Sequence, residues 1–247
     1  MKKSILLISL IAAFHLGLNA GDPIVWKFET GNRVCSTPLV HENMVYAGSG
    51  DHHIYALDRN NGTVIWKFVT GGAVHSSPSI HNDLVYAGSD DGNLYALDRK
   101  TGELAWKFAS GGEKMYDLWD YYRSSPVVED GVVYWGSGDG HVYALEATTG
   151  SLVWKYRTGD VVHASPMVKN DTVYIGSFDG FFYALNAENG ELVWKFNTVG
   201  AQYFPKGEVQ KAALVDNDAI YFGTRDYNMY ALDAIQPMAP LTSANYL

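Results

Sequence analysis

The sequence predicts an all-β fold, a five-bladed β-propeller whose blades are four-stranded antiparallel sheets. Two observations predict it: a triplet of tryptophan, lysine and an aromatic residue recurs at steps of 40, 40, 48 and 40 residues, and short runs rich in β-branched and aromatic residues fill every step. A fixed step near forty residues is typical of one supersecondary unit copied many times. Such a unit buries its apolar face only against its copies, so radial stacking is expected. The triplets begin at Trp26, Trp66, Trp106, Trp154 and Trp194.

The unit at 75–111 shows the four expected strands most clearly. Alternation and turn residues place these strands at 76–80, 84–88, 94–97 and 103–108. The turn before the fourth strand has the pattern Ala-x-Asp-x-x-Thr-Gly, in which Gly102 supplies the left-handed conformation that the turn needs. The same structural role is expected for Gly62, Gly150 and Gly190.

The fourth strand is predicted to lie at the rim of each blade. In the second unit Leu104, Trp106 and Phe108 share one face by the period of two, and Lys107 lies on the other face. We expect the large apolar face to pack on the neighbouring blade. A lysine on an outermost strand discourages edge-to-edge aggregation, which agrees with a rim position.

The number of predicted strands indicates how the ring closes. The chain opens with a lone fourth strand at 24–28, continues with four complete units, and ends with a unit that has three strands. The surplus strand matches the deficit, which predicts twenty strands in five blades, with the N-terminal strand completing the C-terminal blade. This domain occupies residues 21–235, and a C-terminal tail follows at 236–247. An open arc completed by a second chain is the alternative.

The first twenty residues have the features of a secretory signal peptide. Lys2 and Lys3 precede an apolar stretch that is short for a membrane span, and Ala20 offers a small residue at the cleavage position. We therefore expect an exported protein, periplasmic or secreted. The remaining sequence has no long apolar run, so no transmembrane segment is predicted.

The charge and the single cysteine exclude several classes of partner and site. Removing residues 1–20 removes two lysines and no acid, which changes the net charge from −9 to −11. An acidic body repels phosphate backbones, which argues against nucleic acid and anionic membranes as partners. Cys35 is the only cysteine, so neither an intrachain disulfide nor a thiolate metal cluster can form.

The repeat resembles that of a known family. The pattern Ala-x-Asp-x-x-Thr-Gly-x-x-x-Trp, followed by Ser-Ser-Pro and Val-Tyr-x-Gly-Ser, is similar to the pyrroloquinoline-quinone-like repeat, also called the tryptophan-docking repeat. One branch of this family holds quinoprotein alcohol dehydrogenases, which bind the quinone and calcium on eight blades. The other holds non-catalytic scaffolds, such as the lipoprotein of the outer-membrane β-barrel assembly machinery. Because both branches share the repeat, the repeat alone does not decide between them.

The resemblance implies a scaffold more than an enzyme. The dehydrogenases typically place two adjacent cysteines against the quinone, whereas this chain has only Cys35, and their calcium-binding Glu and Asn have no matching positions here. We therefore expect no catalytic residue, no pyrroloquinoline quinone and no calcium. The chain also departs from the scaffold relative, because it has five units instead of eight and no lipid-anchor cysteine at the cleavage site.

Polar residues are expected at one mouth of the central channel. His75, Arg123 and His163 each stand three residues before the proline position of a first strand, as do Cys35 and Gln210 in their units. Equivalent positions on five innermost strands form a ring, so the imidazoles and the guanidinium predict a ligand or anion site. The alternative is that they are ordinary polar residues lining a wet channel.

Two other patterns are weaker indications of metal. The Asp-Gly loops, such as Asp91-Gly92, each offer one or two oxygen ligands, whereas a calcium loop needs several at alternating spacing. Hairpin turns explain these loops. His52, His53 and His141 lack the spacing of a zinc site. No metal site is therefore predicted.

Two connections into first strands are longer than the others. The distance from the aromatic residue of the triplet to the proline position is 18 residues after Phe108 and 17 after Phe196, against ten elsewhere. Aromatic residues on insertions above a rigid scaffold are typical of recognition surfaces, which predicts a protein partner or an extended ligand at this face. A plug that folds into the channel mouth is the alternative. The aromatic residues concerned are Trp119, Tyr121, Tyr122, Tyr203 and Phe204.

Together these features predict an exported, non-catalytic β-propeller that acts as a protein-binding or scaffold module. A degenerate quinoprotein oxidoreductase and a carbohydrate-binding propeller are the alternatives. The sequence leaves the partner, the biological process and the oligomeric state open.

Overall fold

Antiparallel β-sheets make up the regular structure of the chain. The computed structural model describes residues 23–114, 123–198 and 207–234. Within these ranges every regular element is a strand, and the nineteen strands form five sheets. Four sheets contain four strands in chain order and the fifth contains three, and we call them blades 1 to 5. The all-β prediction is confirmed for the described residues.

Each blade is a meander of consecutive strands. Blade 1 contains β1 (Leu39–His41), β2 (Met44–Ser49), β3 (His53–Asp58) and β4 (Val64–Val69). Blade 2 contains β5 (Ser79–His81), β6 (Leu84–Gly88), β7 (Asn93–Asp98) and β8 (Leu104–Ala109). Blade 3 contains β9 (Val127–Glu129), β10 (Val132–Gly136), β11 (His141–Glu146) and β12 (Leu152–Arg157). Blade 4 contains β13 (Met167–Lys169), β14 (Thr172–Gly176), β15 (Phe181–Asn186) and β16 (Leu192–Asn197), and blade 5 contains β17 (Leu214–Asp216), β18 (Ala219–Gly223) and β19 (Met229–Asp233).

The turn before each fourth strand requires glycine for two reasons. Gly102 has a φ of +74°, in the left-handed region, and an added Cβ would lie 2.7 Å from the ring of Trp66 in the preceding blade. Asp98 fixes the same turn by accepting the backbone N–H groups of Lys100 and Thr101. The positive φ and the close tryptophan ring recur at Gly62, Gly150 and Gly190.

The first and fourth strands of blade 2 differ from the prediction. β5 begins at Ser79 instead of residue 76, because Ser77 N–H bonds across to the Ser125 hydroxyl of blade 3. In β8 the pairing passes from Ala96–Trp106 to Leu97–Leu104, which makes a β-bulge at the intervening residue. Leu104 is therefore 47% exposed while Trp106 is buried. The prediction that both side chains share the packed face was wrong.

A tryptophan fastens each of the first three junctions between blades. Trp106 Nε1 donates to the Ala147 carbonyl of blade 3 at 2.9 Å, and the Tyr86 hydroxyl donates to the same oxygen at 3.0 Å. The two aromatic rings lie 5.7 Å apart. The corresponding indole-to-carbonyl distance is 3.0 Å for Trp66 and 2.8 Å for Trp154. The apolar core therefore lies between neighbouring blades.

The first strands of the blades lie side by side around a common centre. β5 is next to β9, β9 is next to β13, and β13 is next to β17. Backbone N–H groups before the prolines donate to a serine Oγ of the next blade, from Thr37 to Ser77 at 2.8 Å, from Ser77 to Ser125 at 2.9 Å and from Ser125 to Ser165 at 2.9 Å. This ladder links blades 1 to 4, and blade 5 has Ala212 at the next position.

The N-terminal segment departs from the prediction of five complete blades. Residues 24–28 form no strand, and β19 pairs only with β18 within the described residues, so nineteen strands replace the predicted twenty. Trp26 still donates to the Arg59 carbonyl of blade 1 at 2.8 Å, and the Phe28 and Tyr55 rings lie 5.2 Å apart. The segment thus has the side-chain contacts of a fourth strand, but a strand also needs a backbone neighbour. The closed ring stays a prediction.

Candidate functional site

Polar side chains meet where the first strands of blades 2, 3 and 4 begin. His75 precedes β5, Arg123 precedes β9 and His163 precedes β13. The structure joins them through two carboxylates, Asp90 from the β6–β7 turn and Glu113 from the connection after β8. We call these five residues the channel-mouth network.

The channel-mouth network is a line of alternating basic and acidic groups. His75 Nδ1 lies 3.2 Å from Asp90 Oδ2, and Arg123 Nε donates to Asp90 Oδ1 at 2.9 Å. On the other side, Arg123 Nε lies 3.2 Å from Glu113 Oε1, and His163 Nε2 lies 2.6 Å from that oxygen. Each imidazole therefore contacts one carboxylate, and both carboxylates contact the guanidinium.

The centre of the network is shielded from water. The exposed fraction of the side chain is 6% for Arg123, 5% for Glu113 and 1% for His163. The ring of Phe178 packs edge-on against the His163 ring, with 5.1 Å between centroids. Buried charges are tolerated when they are paired and hydrogen-bonded, and Arg123 here contacts two carboxylates.

Glu113 occupies a place that its neighbouring blade leaves open. Asp90 follows a Gly-Ser pair at the end of β6, and the equivalent residue of blade 3 is Gly138. The Gly138 N–H donates to Glu113 Oε2 at 3.0 Å, and a Cβ on residue 138 would lie 2.5 Å from Glu113 Oε1. Because residue 138 has no side chain, a carboxylate from the inserted connection fits beside Arg123.

A small pocket adjoins the network between blades 2 and 3. Trp135 Nε1 donates to the Ser124 carbonyl at 3.2 Å, so this buried indole is part of the wall. Glu113 and Arg123 are the charged residues of the lining. The pocket is lined by Gly88, Ser89, Glu113, Arg123, Ser124, Trp135 and Gly136.

In each of the two insertions, the residues at its start and end contact each other. In a short connection Thr158 Oγ1 donates to the Asp160 carbonyl at 2.6 Å, and in the second insertion Thr198 Oγ1 donates to the Gly207 carbonyl at 2.9 Å. The second insertion therefore keeps the threonine-to-carbonyl hydrogen bond of the short connection, and its additional residues come between the donor and the acceptor in the sequence. The Glu113–Arg123 contact ties the two ends of the first insertion in a similar way.

The Asp-Gly loops serve the fold. Asp91 Oδ2 accepts the Tyr95 hydroxyl at 2.6 Å and the Gly71 N–H at 2.8 Å, which ties a turn of blade 2 to the connection from blade 1. Burial alone would raise the pKa of Asp91, but these hydrogen bonds lower the pKa by more, and it lies below its ordinary value. Burial, and then the bond to Asp91, raise the pKa of Tyr95 to about 12.

The other residues of the predicted ring and the weaker metal patterns do not join the network. Cys35 is exposed, and neither Cys35 nor Gln210 has a hydrogen bond or ion pair with the network in the described part of the chain. Within residues 23–114, 123–198 and 207–234, no three His, Cys, Asp or Glu side chains are grouped as metal ligands.

Some of the predicted features lie outside the described residues. They include the signal peptide at 1–20 and the tail at 236–247. The aromatic residues of the insertions lie there too, namely Trp119, Tyr121, Tyr122, Tyr203 and Phe204. Their role in recognition stays a prediction. In the ranges that are described, no helix has the length and apolarity to cross a bilayer.

Sequence reasoning missed the two carboxylates of the network. Asp90 was hidden because its position does not repeat: the equivalent residues are glycine in blade 1, glycine in blade 3 and Phe178 in blade 4. Glu113 was not predicted because it lies in the connection that carries an insertion, where the repeat gives no equivalent position. An acid directly before an insertion that leads to a ring arginine was the available indication.

Comparison with known proteins agrees with the architecture. The family model of the outer membrane protein assembly factor BamB matches residues 18–116 and 114–236. No curated protein matches the chain by sequence.

Three solved structures illustrate the shared fold. BamB from Moraxella catarrhalis has a TM-score of 0.71 and 19% identity, over 85% of this chain and 62% of that one. The quinohemoprotein alcohol dehydrogenase ADHIIG from Pseudomonas putida HK5 has a TM-score of 0.68 and 23% identity, over 85% and 42%. The quinohemoprotein alcohol dehydrogenase from Comamonas testosteroni has a TM-score of 0.70 and 18% identity, over 84% and 42%.

The low sequence identity and the partial coverage limit what the structural similarity shows. The chain spans about three fifths of the BamB structure and about two fifths of each dehydrogenase. At such identities the likeness shows the fold alone. The family model, however, covers most of the chain in two consecutive matches, and the protein therefore belongs to the BamB-like family of pyrroloquinoline-quinone-like repeat propellers.

Proposed function

We propose that this protein is an exported, non-catalytic propeller that binds other proteins as a scaffold. The observation that carries the proposal is the match of most of the chain to the BamB family. The dehydrogenases share the fold, so the fold does not separate the two functions. The channel mouth favours the scaffold, because its two carboxylates are paired with Arg123 and the imidazoles and are not grouped as metal ligands.

The proposed binding face is the side of the propeller that carries the channel-mouth network. The first insertion departs at Glu113 and returns at Arg123, and the second returns at Gly207 beside Thr198. Scaffold contacts hold the ends of both insertions. Residues between these ends are free to carry recognition without altering the sheets. The aromatic residues proposed for contact are Trp119, Tyr121, Tyr122, Tyr203 and Phe204.

Two excision variants test this face. Deleting 115–122 or 200–206 returns each connection to the length of the short ones, so the propeller should keep its β-sheet circular dichroism and melt cooperatively. Cross-linking in the envelope fraction should capture the same partner with the wild type and with the rim control Lys107→Glu, and lose it in the excision variants. Retention of the partner by both excision variants would show that another surface binds it.

A quinoprotein oxidoreductase is the second candidate, because two of the similar structures are quinohemoprotein alcohol dehydrogenases. Pyrroloquinoline quinone and calcium are added to the purified protein, and the quinone absorption band and dye reduction with alcohols are measured. Alcohol-dependent dye reduction that Arg123→Ala abolishes would end the scaffold proposal. The scaffold predicts no reduction above the rate without protein.

We also propose that the N-terminal segment closes the ring against blade 5. Trp26 and Phe28 already contact blade 1 as the fourth strand of a preceding blade would. The matching pairs Phe68–Tyr95 and Phe108–Tyr143 have ring distances of 5.5 and 5.1 Å, close to the 5.2 Å for Phe28. β19 pairs with β18 alone among the described residues, so its other edge is the place where a fourth strand of blade 5 would pair.

A designed disulfide tests the closure directly. The pairing of β7 with β8, carried over to blade 5, places residue 29 opposite residue 228. In a Cys35→Ser background, Glu29→Cys with Asn228→Cys should therefore form an intramolecular bond under mild oxidation. Glu29→Cys with Asn189→Cys is the matched control and should stay reduced. A product of twice the chain mass would instead support the arc completed by a second chain.

A further inference from the structure

We propose that the channel mouth is a carboxylate-binding site and that Glu113 is its resident occupant. The proposal goes beyond the scaffold role and does not depend on it. Three groups converge on the Glu113 carboxylate: His163 Nε2 at 2.6 Å, the Gly138 N–H at 3.0 Å and Arg123 Nε at 3.2 Å. Guanidinium, imidazole and backbone N–H groups are the donors with which proteins recognise carboxylates.

The scaffold builds this site without the help of Glu113. Arg123 and Gly138 belong to blade 3 and His163 to blade 4, whereas Glu113 belongs to the connection that carries the first insertion. Asp90 accepts a hydrogen bond from Arg123 Nε at 2.9 Å and is itself contacted by His75. The donors are therefore oriented in advance, which lowers the cost of binding a carboxylate.

Comparison of the two acids shows why Glu113 is the exchangeable one. Asp90 lies in a tight turn of the repeat, and its own backbone N–H bonds to the Ala73 carbonyl at 2.8 Å. Glu113 reaches the site from outside the repeat and fills the space above Gly138. The side chain of the next residue, Lys114, is exposed, and its Nζ lies 3.6 Å from Asp160 at the surface. A carboxylate of a free small molecule or of an acidic polypeptide segment has the chemistry to replace Glu113.

The first test is chemical rescue. Glu113→Ala removes a fragment of the size of acetate and leaves the three donors in place. The melting temperature should fall by roughly 5 °C, because a buried ion pair loses one partner. Sodium acetate should restore a saturable part of this loss, whereas acetamide, which has the same shape and no charge, and sodium chloride should not.

The matched control is Glu103→Ala, which removes an exposed glutamate outside the network. Acetate should affect this variant and the wild type equally little. A response to acetate that acetamide or chloride reproduces, or that Glu103→Ala shares, would overturn the site. If Glu113→Ala does not fold, Glu113→Gln keeps the shape, and trypsin should cleave it after Lys114 several-fold faster than the wild type. An unchanged cleavage rate in Glu113→Gln would also overturn the proposal.

The wild type shows whether an external carboxylate displaces Glu113 and from which source. Trypsin cleavage after Lys114 is measured with acetate, with a blocked peptide that has a central glutamate, and with the glutamine version of that peptide. Faster cleavage with acetate indicates a free carboxylate, and faster cleavage with the glutamate peptide alone indicates an acidic segment. Equal rates in all three cases would show that Glu113 is a fixed structural group and would refute the exchange.

Discussion

The junction between blades 2 and 3 has a buried core, whereas the outer face of blade 5 is partly exposed in the part of the chain that the structure describes. Tyr86 of blade 2 is fully buried under Trp106, but Tyr221, the equivalent residue of blade 5, is 36% exposed. The strand pairing of β18 with β19 resembles that of β6 with β7. A blade therefore forms its backbone hydrogen bonds by itself, but the side chains on its outer face are buried only when a neighbouring blade packs against them.

The tie at the start of the third strand shows the same difference. Asp139 Oδ2 accepts the Tyr143 hydroxyl at 2.5 Å and the Gly111 N–H at 2.7 Å. The equivalent oxygen of Asp226 in blade 5 is buried and has no hydrogen-bond partner within the described residues. Within the described residues, Asp226 therefore lacks the tie that Asp139 makes, and substitutions at the two positions should give unequal losses of stability.

The largest expected effect is at the tryptophans. Trp106→Ala should lower the free energy of unfolding by about 3–5 kcal/mol, because it removes a buried indole and its bond to Ala147. Trp194→Ala should cost less, because Trp194 is only half-buried and its indole has no such bond within the described residues. Urea unfolding of both variants measures the difference. Equal losses would mean that blade 5 is as tightly packed as blade 3.

Deleting residues 21–30 is expected to have the next largest effect. Closure of the ring would bury Trp26 and Phe28 between blades 1 and 5, and each buried aromatic contributes a few kcal/mol. The melting temperature should therefore fall by several degrees. An unchanged melting temperature would refute the closure, and Lys27→Ala serves as a control that keeps both aromatic rings.

Asp139→Asn tests the aspartate tie and should cost about 1–2 kcal/mol. The equivalent Asp226→Asn should cost less, since that carboxylate has fewer partners. Burial raises the pKa of Asp139, but the bonds from Tyr143, Gly111 and His141 lower it by more, so the pKa lies below its ordinary value. Urea unfolding at neutral pH measures both losses.

The same tie predicts an acid dependence. A carboxylate with a lowered pKa in the folded protein contributes stability above its unfolded pKa of about 3.9, and this stability is lost as the pH falls through the folded value. Asp51, Asp91 and Asp139 all have lowered pKa values, so unfolding should become easier below about pH 4. Asp139→Asn should weaken this dependence, and an identical pH profile would argue against the tie.

The smallest expected effect is at the tyrosine hydroxyls. Tyr86→Phe removes the bond to the Ala147 carbonyl and should cost about 1 kcal/mol. If the ring closes, Tyr221 should donate to the Arg59 carbonyl beside Trp26, and Tyr221→Phe should cost a similar amount. A loss in Tyr86→Phe with none in Tyr221→Phe would indicate an open junction.

Much of the fold was predictable because it depends on local signals that recur. Turn glycines such as Gly102 and the tryptophan triplets repeat with the unit, so each copy supports the reading of the others. The bulge in β8 was not predictable, since the period of two gives no sign that the residue after Leu104 is extra. The state of residues 24–28 depends on a contact between the two ends of the chain, which no local pattern reveals.

The candidate site was predictable only in part for a related reason. Equivalence of positions brought His75, Arg123 and His163 to one mouth, because repeats place equivalent residues at equivalent heights. Asp90 and Glu113 depart from the repeat pattern. A prediction based on positions that the units share therefore does not include them. The chemistry of this propeller therefore lies where its units differ, at Gly138 and in the connection that follows β8.

The indole bond has a direction with consequences for how such a chain grows. The tryptophans of blades 1 to 3 each donate forward to a carbonyl of the following blade, as from Trp66 to Arg99 and from Trp154 to Ala187. Blades 2 and 3 therefore each present an acceptor carbonyl on one flank and a donor indole on the other. A duplicated unit inserted in tandem would therefore find an indole donor on one side and a carbonyl acceptor on the other. Whole units could be gained or lost by gene duplication or deletion without further substitutions in the neighbouring units.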